Sequence, residues 1–320
     1  MTVQQACDDF LTHCRVAKNL SPHTLRAYAT DLQEFVAFTG ADRGVATVDR
    51  PHLRAYLRHL FEVRRLKETS IKRRLACLKV MFRWLELDEV IAISPFHRLD
   101  ARIKMPRRLP RCLSTEEARQ LLVAPASRLG MPENPRPASI RRAAKAARIN
   151  DLTALVAVEV LLCTGLRVGE LAGVQVGDLD LTEGVITVLG KGSRQRRVFL
   201  PDATVLTLVT AYLEARGRLT PDHTAFLVNS RGRPATPQFL RKLVRQAGEE
   251  AALARRTTPH MLRHTAATQL LEAGVDIRFV QRLLGHQSIS TTEGYTNVSD
   301  GSLKAVLLEA RAKIQPKRRR

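Results

Sequence analysis

One apolar run, NDLTALVAVEVLLCTG at residues 150–165, constrains the fold of this chain more than any other segment. Its length and composition predict a buried helix, and Gly165 is a helix stop signal. A helix that is apolar on nearly all faces has to lie inside a folded domain. The run is shorter than the ~20 residues of a membrane span, and no other run in the chain approaches that length.

Residues 1–100 are predicted to form a helical domain. SPHTLRAYATDLQEFVAF has Ser21 as N-cap, Pro22 at the first helical position, and apolar residues at the helical period. Residues 101–112, dense in arginine, lysine and proline, are interpreted as a basic interdomain linker. A second domain, 113–320, begins with a capping box of Ser114 and Glu117. Residues 125–149 are interpreted as an insertion that starts proline-rich and ends in a short basic helix.

The second domain is predicted to combine helices with a little antiparallel sheet. DLDLTEGVITVLGKGSRQRRVFLP alternates as strands do, with turns at TEG and GKGS. From residue 202 onward helical patterns dominate. The expected fold class is therefore mainly α with a small antiparallel β-sheet.

The charge balance indicates a polyanionic partner. Lysine and arginine number 52 against 31 acidic residues, which gives a formal net charge of +21. Double-stranded DNA or another nucleic acid is the first candidate, and a merely basic or ribosome-associated protein is the alternative. The five cysteines (7, 14, 77, 112 and 163) show no CxxC pairing and are predicted to be buried or free thiols in a reducing compartment. No signal peptide is visible, so we expect a cytoplasmic, nucleoid-associated protein without a membrane.

The stretch TPHMLRHTAAT allows either a metal site or an anion site. His260 and His264 are four residues apart and share a helix face, but Met261 stands where a zinc protease has its glutamate base. No cysteine lies nearby, so no metal is expected. An anion site fits better, because His260 lies in the first turn of the predicted helix, where backbone N–H groups favour negative charge. Arg263 lies one turn further on and could donate two hydrogen bonds to phosphate oxygens. His264 is predicted to be buried and bonded to backbone.

Further candidates lie elsewhere in the second domain. Arg167 in TGLRVGEL has Glu170 three residues on, able to brace it, and Lys191 is at the tip of the GKG hairpin. His286 follows a glycine helix stop, and Tyr295 lies in a polar context where a phenol oxygen could attack phosphorus. Taken singly, these residues also fit structural roles: Arg167 as a helix cap and Lys191 as a solvated hairpin lysine.

Five motifs together resemble the tyrosine recombinase (phage integrase) family, with an Xer-like site-specific recombinase as the expected type. They are SPHTLRAYATDLQEF, TGLRVGEL, the GKG hairpin, HMLRH and LGHQSISTTEGYT, in the family's order. The resemblance implies a catalytic set of Arg167, Lys191, His260, Arg263, His286 and Tyr295, supported by Glu170, with no cofactor. It also implies a SAM-like core-binding domain and a mixed α+β catalytic domain in a C-shaped clamp. The 125–149 insertion is longer than in simple family members.

The family mechanism then assigns the chemistry. Tyr295 would attack the scissile phosphate and leave a 3′-phosphotyrosyl link, while Arg167 and Arg263 would hold the phosphate oxygens. Lys191 would protonate the leaving oxygen, and His260 would accept the tyrosine proton. His286 would donate a hydrogen bond to the phosphate. Exchange needs a homotetramer on two duplexes with short inverted-repeat core sites, with an accessory or partner recombinase possible. Integration, excision and dimer resolution stay open.

Two other functions remain at this stage. A type IB topoisomerase would use similar chemistry to relax DNA as a monomer, and a DNA-binding regulator would lack an active tyrosine. The sequence does not name the target site, since base-reading and phosphate-reading side chains look alike. Candidate DNA contacts are the basic residues Arg73, Arg74, Lys104, Arg107, Arg108, Arg141, Lys145, Arg148 and Arg194. Arg141, Lys145 and Arg148 are expected to form one stripe on a helix.

Overall fold

The structure is a computed structural model that describes residues 1–97, 99, 103, 112–190, 195–200, 202–285 and 306–310. The chain divides into two compact units, residues 1–108 and residues 109–320. Over the described residues the fold is mainly helical with one small antiparallel sheet, which confirms the predicted fold class.

The first unit is a bundle of four helices: α1 (Val3–Val16), α2 (Pro22–Thr39), α3 (Arg50–Arg58) and α4 (Glu68–Leu87). A π-helical turn, His59–Val63, continues α3. The Ser21 side chain accepts the Thr24 N–H at the start of α2, as predicted. Aromatic rings fill the centre of this unit, where Phe35 is fully buried between its neighbours.

Two arginines of α4 that were expected to contact DNA face carboxylates of α2. Arg73 donates to Asp31 at 2.5 Å while 44% of its side chain stays exposed. Arg74 is buried, and its guanidinium pairs with Glu34 and lies 3.8 Å from Asp31. Because the charge of Arg74 is used inside the unit to neutralise buried carboxylates, its placement does not fit the expected DNA contact.

The second unit is built around one central helix. Its first helices are α5 (Thr115–Arg128), α6 (Pro137–Ala146), α7 (Ile149–Thr164) and α8 (Val168–Gly173), followed by strands β1 (Leu179–Asp180), β2 (Val185–Leu189) and β3 (Gln195–Phe199). Helices α9 (Ala203–Gly217), α10 (Pro237–Glu250), α11 (Pro259–Glu272) and α12 (Ile277–Leu284) follow, and residues 306–310 are also helical. Helix α7 packs against α5, α9, α10 and α11, as its apolar sequence predicts. Gly165 ends α7 in the left-handed conformation, with φ +65°.

The sheet has the order β1-β2-β3, and both pairings are antiparallel. The register of the hairpin runs from Val185 opposite Phe199 to Leu189 opposite Gln195. Gly184 turns the chain between β1 and β2 with φ +66°, as the TEG motif predicts. Lys191 in the GKGS motif and Arg194 directly after it lie outside the described residues.

The predicted insertion needs two corrections. Helix α5 runs through Pro125 to Arg128, so residues 125–128 belong to this helix and not to an insertion. Pro125 is buried there, although its ring removes one N–H from the helix. The short basic helix exists as α6, but it ends at Ala146, and Arg148 is the N-cap residue of α7. Arg141 and Lys145 therefore share a helix face, whereas Arg148 is not on their helix.

Three further expectations concern thiols, membranes and metals. The five cysteines are free, as predicted, with Cys7, Cys14 and Cys77 buried. Within the described part of the chain, no helix combines the length and apolar character that crossing a membrane requires. The same residues contain no cluster of three or more histidine, cysteine or acidic side chains arranged to hold a metal ion.

Candidate active site: an arginine-lined cavity

A cavity of about 430 Å³ opens beside the first turn of α11. Its basic lining residues are Arg167, Arg241, Arg245, Arg256, His260 and Arg263. No carboxylate is present among the described lining residues. Five guanidinium groups around one opening create a positive potential that favours an anion with several oxygens, such as a phosphate.

The start of α11 supplies two of these groups. The Thr258 side chain accepts the Met261 N–H and Pro259 occupies the first helical position, as the sequence predicts. Arg263 is 5% exposed, and its two terminal nitrogens donate to the carbonyls of Gly165 at 2.7 Å and Leu284 at 2.6 Å. These bonds fix the guanidinium while using only part of the donors that it carries.

Burial and neighbouring positive charge both act on Arg263. Burial, followed by the nearby charge of Arg167, lowers its pKa to about 10. The guanidinium stays protonated at neutral pH, so the site holds uncompensated positive charge. An anion placed in the cavity would relieve that repulsion.

Arg167 is held at the N-terminus of α8 by Glu170. The Arg167 backbone N–H and its side-chain Nη1 each donate to a different oxygen of this carboxylate, both at 2.8 Å. The predicted bracing of Arg167 by Glu170 is therefore present. The Arg167 side chain is 45% exposed, whereas that of Glu170 is 8% exposed. Burial raises the pKa of Glu170, but hydrogen bonds from Arg196 and the Arg167 backbone outweigh it and hold the pKa below its usual value.

Arg196 on β3 is a site residue that the sequence did not reveal. Its two terminal nitrogens grip the Glu170 carboxylate at 3.0 and 2.8 Å, and its Nε donates to the Leu283 carbonyl at 3.0 Å. Glu170 lies 26 residues and Leu283 lies 87 residues away along the chain, so no local sequence pattern indicates these contacts.

The prediction for His264 was wrong. Both His260 and His264 are exposed, and their Nε2 atoms are 3.0 Å apart, so the partner of His264 is a side chain and not backbone. Spacing correctly placed both rings on one face but gave no information on burial. Desolvation by partial burial, then the neighbouring His264, Arg263 and Arg167, lower the pKa of His260. The imidazole is therefore neutral at pH 7 and able to accept a proton.

Several predicted residues cannot be located. Three members of the expected catalytic set lie outside the described residues: Lys191, His286 and Tyr295. The same is true of four expected DNA contacts, which are Lys104, Arg107, Arg108 and Arg194. Of the expected linker 101–112, the structure describes Ile103 and Cys112. The described catalytic candidates, Arg167, Glu170, His260 and Arg263, come together around the cavity and its supporting contacts.

Three arginines of the cavity were missed by the sequence reading. Arg241 and Arg245 are four residues apart on α10, and Arg256 directly precedes the TTPH segment. Two signals were available in the sequence: the i, i+4 spacing of Arg241 and Arg245, and the position of Arg256 beside the TTPH segment. The sequence does not indicate, however, that α10 and α11 line the same cavity.

The fold and the cavity together are typical of a protein that binds a polyanion, because positioned arginines line the opening. The sequence profile of the "Phage integrase family" matches residues 134–301, and that of the "Phage integrase, N-terminal SAM-like domain" matches residues 7–89. The chain belongs to the phage integrase family, the tyrosine recombinases.

Individual relatives agree with this assignment. "Tyrosine recombinase XerC" of Pelotomaculum thermopropionicum is 35% identical over 314 residues, which covers 93% of this chain and 95% of that protein. "Tyrosine recombinase XerD" of Halalkalibacterium halodurans is 33% identical over 312 residues, covering 95% and 97%. The solved structure of XerH site-specific recombinase bound to palindromic difH substrate is similar with a TM-score of 0.66 and 22% identity, covering 96% of this chain and 81% of that chain. The structural likeness shows a shared fold.

Proposed function

We propose that this protein is a site-specific DNA recombinase that cuts and rejoins strands through a 3′-phosphotyrosyl intermediate. The observation that carries the proposal is the convergence of Arg167, His260 and Arg263 on one arginine-lined cavity in a member of the phage integrase family. Their types and positions suit a phosphodiester, which gains negative charge on its non-bridging oxygens during transfer. In this mechanism Arg167 and Arg263 bind those oxygens, while Arg241 and Arg256 contact neighbouring phosphates of the same strand.

Tyr295 is the proposed nucleophile, and the surroundings of the other tyrosines support this. The chain has four tyrosines. Tyr56 and Tyr212 are completely buried, and Tyr28 is half-buried against Phe10. Burial raises the pKa of Tyr28, Tyr56 and Tyr212. A buried phenol with a raised pKa neither reaches a DNA strand nor loses its proton readily.

Proton transfer is assigned to two residues, and a third donates a hydrogen bond. His260 accepts the proton of the attacking phenol, which its neutral state at pH 7 allows. Lys191 protonates the departing 5′ oxygen, and His286 donates a hydrogen bond to the phosphate. The phosphotyrosyl bond conserves the energy of the broken phosphodiester, so rejoining needs no nucleotide cofactor or metal.

The proposed assembly follows from the reaction. Exchange between two duplexes breaks four strands, so it requires four active sites and a homotetramer. Residues 1–100 are the proposed core-DNA-binding domain, joined by the linker 101–112 to the catalytic domain 113–320. The proposed targets are short core sites with inverted repeats, and the proposed location is the cytoplasm, on the nucleoid.

The test starts by finding a target site. Duplexes that bind the protein are enriched from a random-sequence pool, and the cleavage position is mapped on the enriched sequence. A nick placed just beyond that position lets the released fragment diffuse away, so that a covalent adduct accumulates and appears on a denaturing gel.

Tyr295→Phe should bind this duplex and form no adduct, because the ring without its hydroxyl has no nucleophile. Tyr212→Phe is the matched control in the same unit and should keep the adduct. An adduct on Tyr295→Phe would reject this nucleophile.

The wild-type protein also distinguishes the two alternative functions. Relaxed plasmid without recombinant products would identify a topoisomerase, and binding without any wild-type adduct would identify a non-catalytic regulator.

A further inference from the structure

Arg196 occupies a position where three parts of the site meet. Its strand β3 continues the hairpin whose sequence carries Lys191. Its guanidinium lies against Glu170, which braces Arg167, and against the last turn of α12, after which the sequence continues to His286 and Tyr295.

The contacts of Arg196 are geometrically specific. Both oxygens of Glu170 receive one hydrogen bond from Arg196 and one from Arg167, so the carboxylate is held between the two arginines. The side chain of Arg196 is 14% exposed, so it lies largely out of reach of a DNA strand. A planar fork is needed, because the bonds to two carboxylate oxygens and one carbonyl come from three different nitrogens.

The end of α12 is shaped to receive this side chain. Gly285 caps the helix in the left-handed conformation, with φ +64°. A β-carbon at this position would lie 3.3 Å from the guanidinium carbon of Arg196. Arg196 holds the Leu283 carbonyl while Arg263 holds that of Leu284, so two arginines fix consecutive carbonyls of one helix end.

We infer that Arg196 is a positioning residue for strand cleavage: through Glu170 it orients Arg167 toward the scissile phosphate, and it anchors the end of α12. The inference rests on the proposed function. Without Arg196, Glu170 would keep only the Arg167 bonds and could follow that half-exposed side chain away from the phosphate. A displacement of about 1 Å in a positioned group costs up to ~10²-fold in rate.

The test compares adduct formation on two nicked target duplexes in single turnover, at saturating protein. One duplex carries the natural phosphodiester at the cleaved position and the other carries a methylphosphonate, which lacks the negative charge. Arg196→Ala should slow cleavage of the phosphodiester by roughly 10- to 100-fold. On the neutral duplex the loss should be much smaller, since less charge needs the Arg167 guanidinium.

Three variants make the role specific. Arg196→Lys keeps the charge but not the fork, so it should be nearly as slow as Arg196→Ala. Glu170→Gln combined with Arg196→Ala should be little slower than the slower single variant, because both act through one contact. Arg197→Ala removes the same charge from the next position of β3, and it should cleave at close to the wild-type rate.

Each arm has an outcome that overturns the inference. Wild-type cleavage by Arg196→Ala or Arg196→Lys would remove the positioning role. Equal losses on both duplexes, or fully multiplied losses in the double variant, would show that Arg196 does not act through Arg167. Circular dichroism and urea unfolding verify that each variant is folded. Absence of an adduct with the wild-type protein would instead reject the proposed function itself.

Discussion

Replacing Gly165 by alanine tests the connection between the central helix and the active site. Gly165 and Gly130 both follow helices and have nearly the same left-handed φ, +65° and +66°. A β-carbon at residue 165 would lie 2.7 Å from a methyl carbon of Leu284, which is 4% exposed, whereas one at residue 130 would meet nothing within 4 Å. Gly130→Ala is therefore a control that shares the backbone strain but not the collision.

The expected magnitudes separate the two variants. The left-handed conformation costs an alanine roughly 1–2 kcal/mol, and this applies to both. Overpacking against Leu284 adds about 1–3 kcal/mol, so Gly165→Ala should lose roughly 2–5 kcal/mol of unfolding free energy. Gly165→Ala should also slow cleavage, because Arg263 is bonded to the carbonyls of Gly165 and Leu284.

Urea unfolding followed by circular dichroism measures the loss. The single tryptophan, Trp84, lies in the first unit, so its fluorescence reports that unit separately. Equal destabilisation by Gly165→Ala and Gly130→Ala would refute the proposed collision with Leu284. Unchanged cleavage by a Gly165→Ala protein that remains folded would refute the coupling to Arg263.

Three other predictions follow. His264→Ala should raise the pKa of His260, because the His264 ring lowers that pKa. An NMR titration of His260 should show the rise, and in a plot of cleavage rate against pH the loss of activity on the acid side should begin at higher pH. Changing Arg141 and Lys145 together to alanine should flatten the slope of log affinity against log salt by roughly two units if both contact DNA, and an unchanged slope would assign them to solvent. Phe35→Ala should cost about 3–5 kcal/mol in urea unfolding, since this fully buried ring packs edge-on against three others; a loss below ~1 kcal/mol would contradict that packing.

The features that could be predicted from sequence are those with local causes. Ser21, Thr258 and the Ser114–Glu117 box cap helices through hydrogen bonds that span three residues, so their spacing is visible in the chain. Gly165 ends α7 because a left-handed residue is needed there. The bracing of Arg167 by Glu170 is local in the same sense.

The features that could not be predicted depend on distant partners. Nothing near Arg74 in the sequence indicates that Glu34, 40 residues away, takes up its charge. The exposure of His264 depends on what packs around α11, which periodicity does not specify. The proline-rich start of residues 125–149 was interpreted as part of an insertion, whereas Pro125 lies inside α5 and is buried there, which the local sequence does not indicate.

The arrangement of the arginines would prepare the proposed site for a phosphate before the phosphate binds. Arg167, Arg196 and Arg263 repel one another, and Glu170 is the carboxylate that accepts hydrogen bonds from the first two. Carbonyl groups at the ends of α7 and α12 hold the buried guanidinium of Arg263 against this repulsion. Helix termination at Gly165 and Gly285 fixes the positions of those carbonyls. The folding energy of the unit therefore keeps the arginines close together in spite of their mutual repulsion. Such preorganised charge stabilises a transition state without reorganisation during the reaction. In the proposed mechanism it depends on Glu170 and Arg196, which hold Arg167 in place for the phosphate.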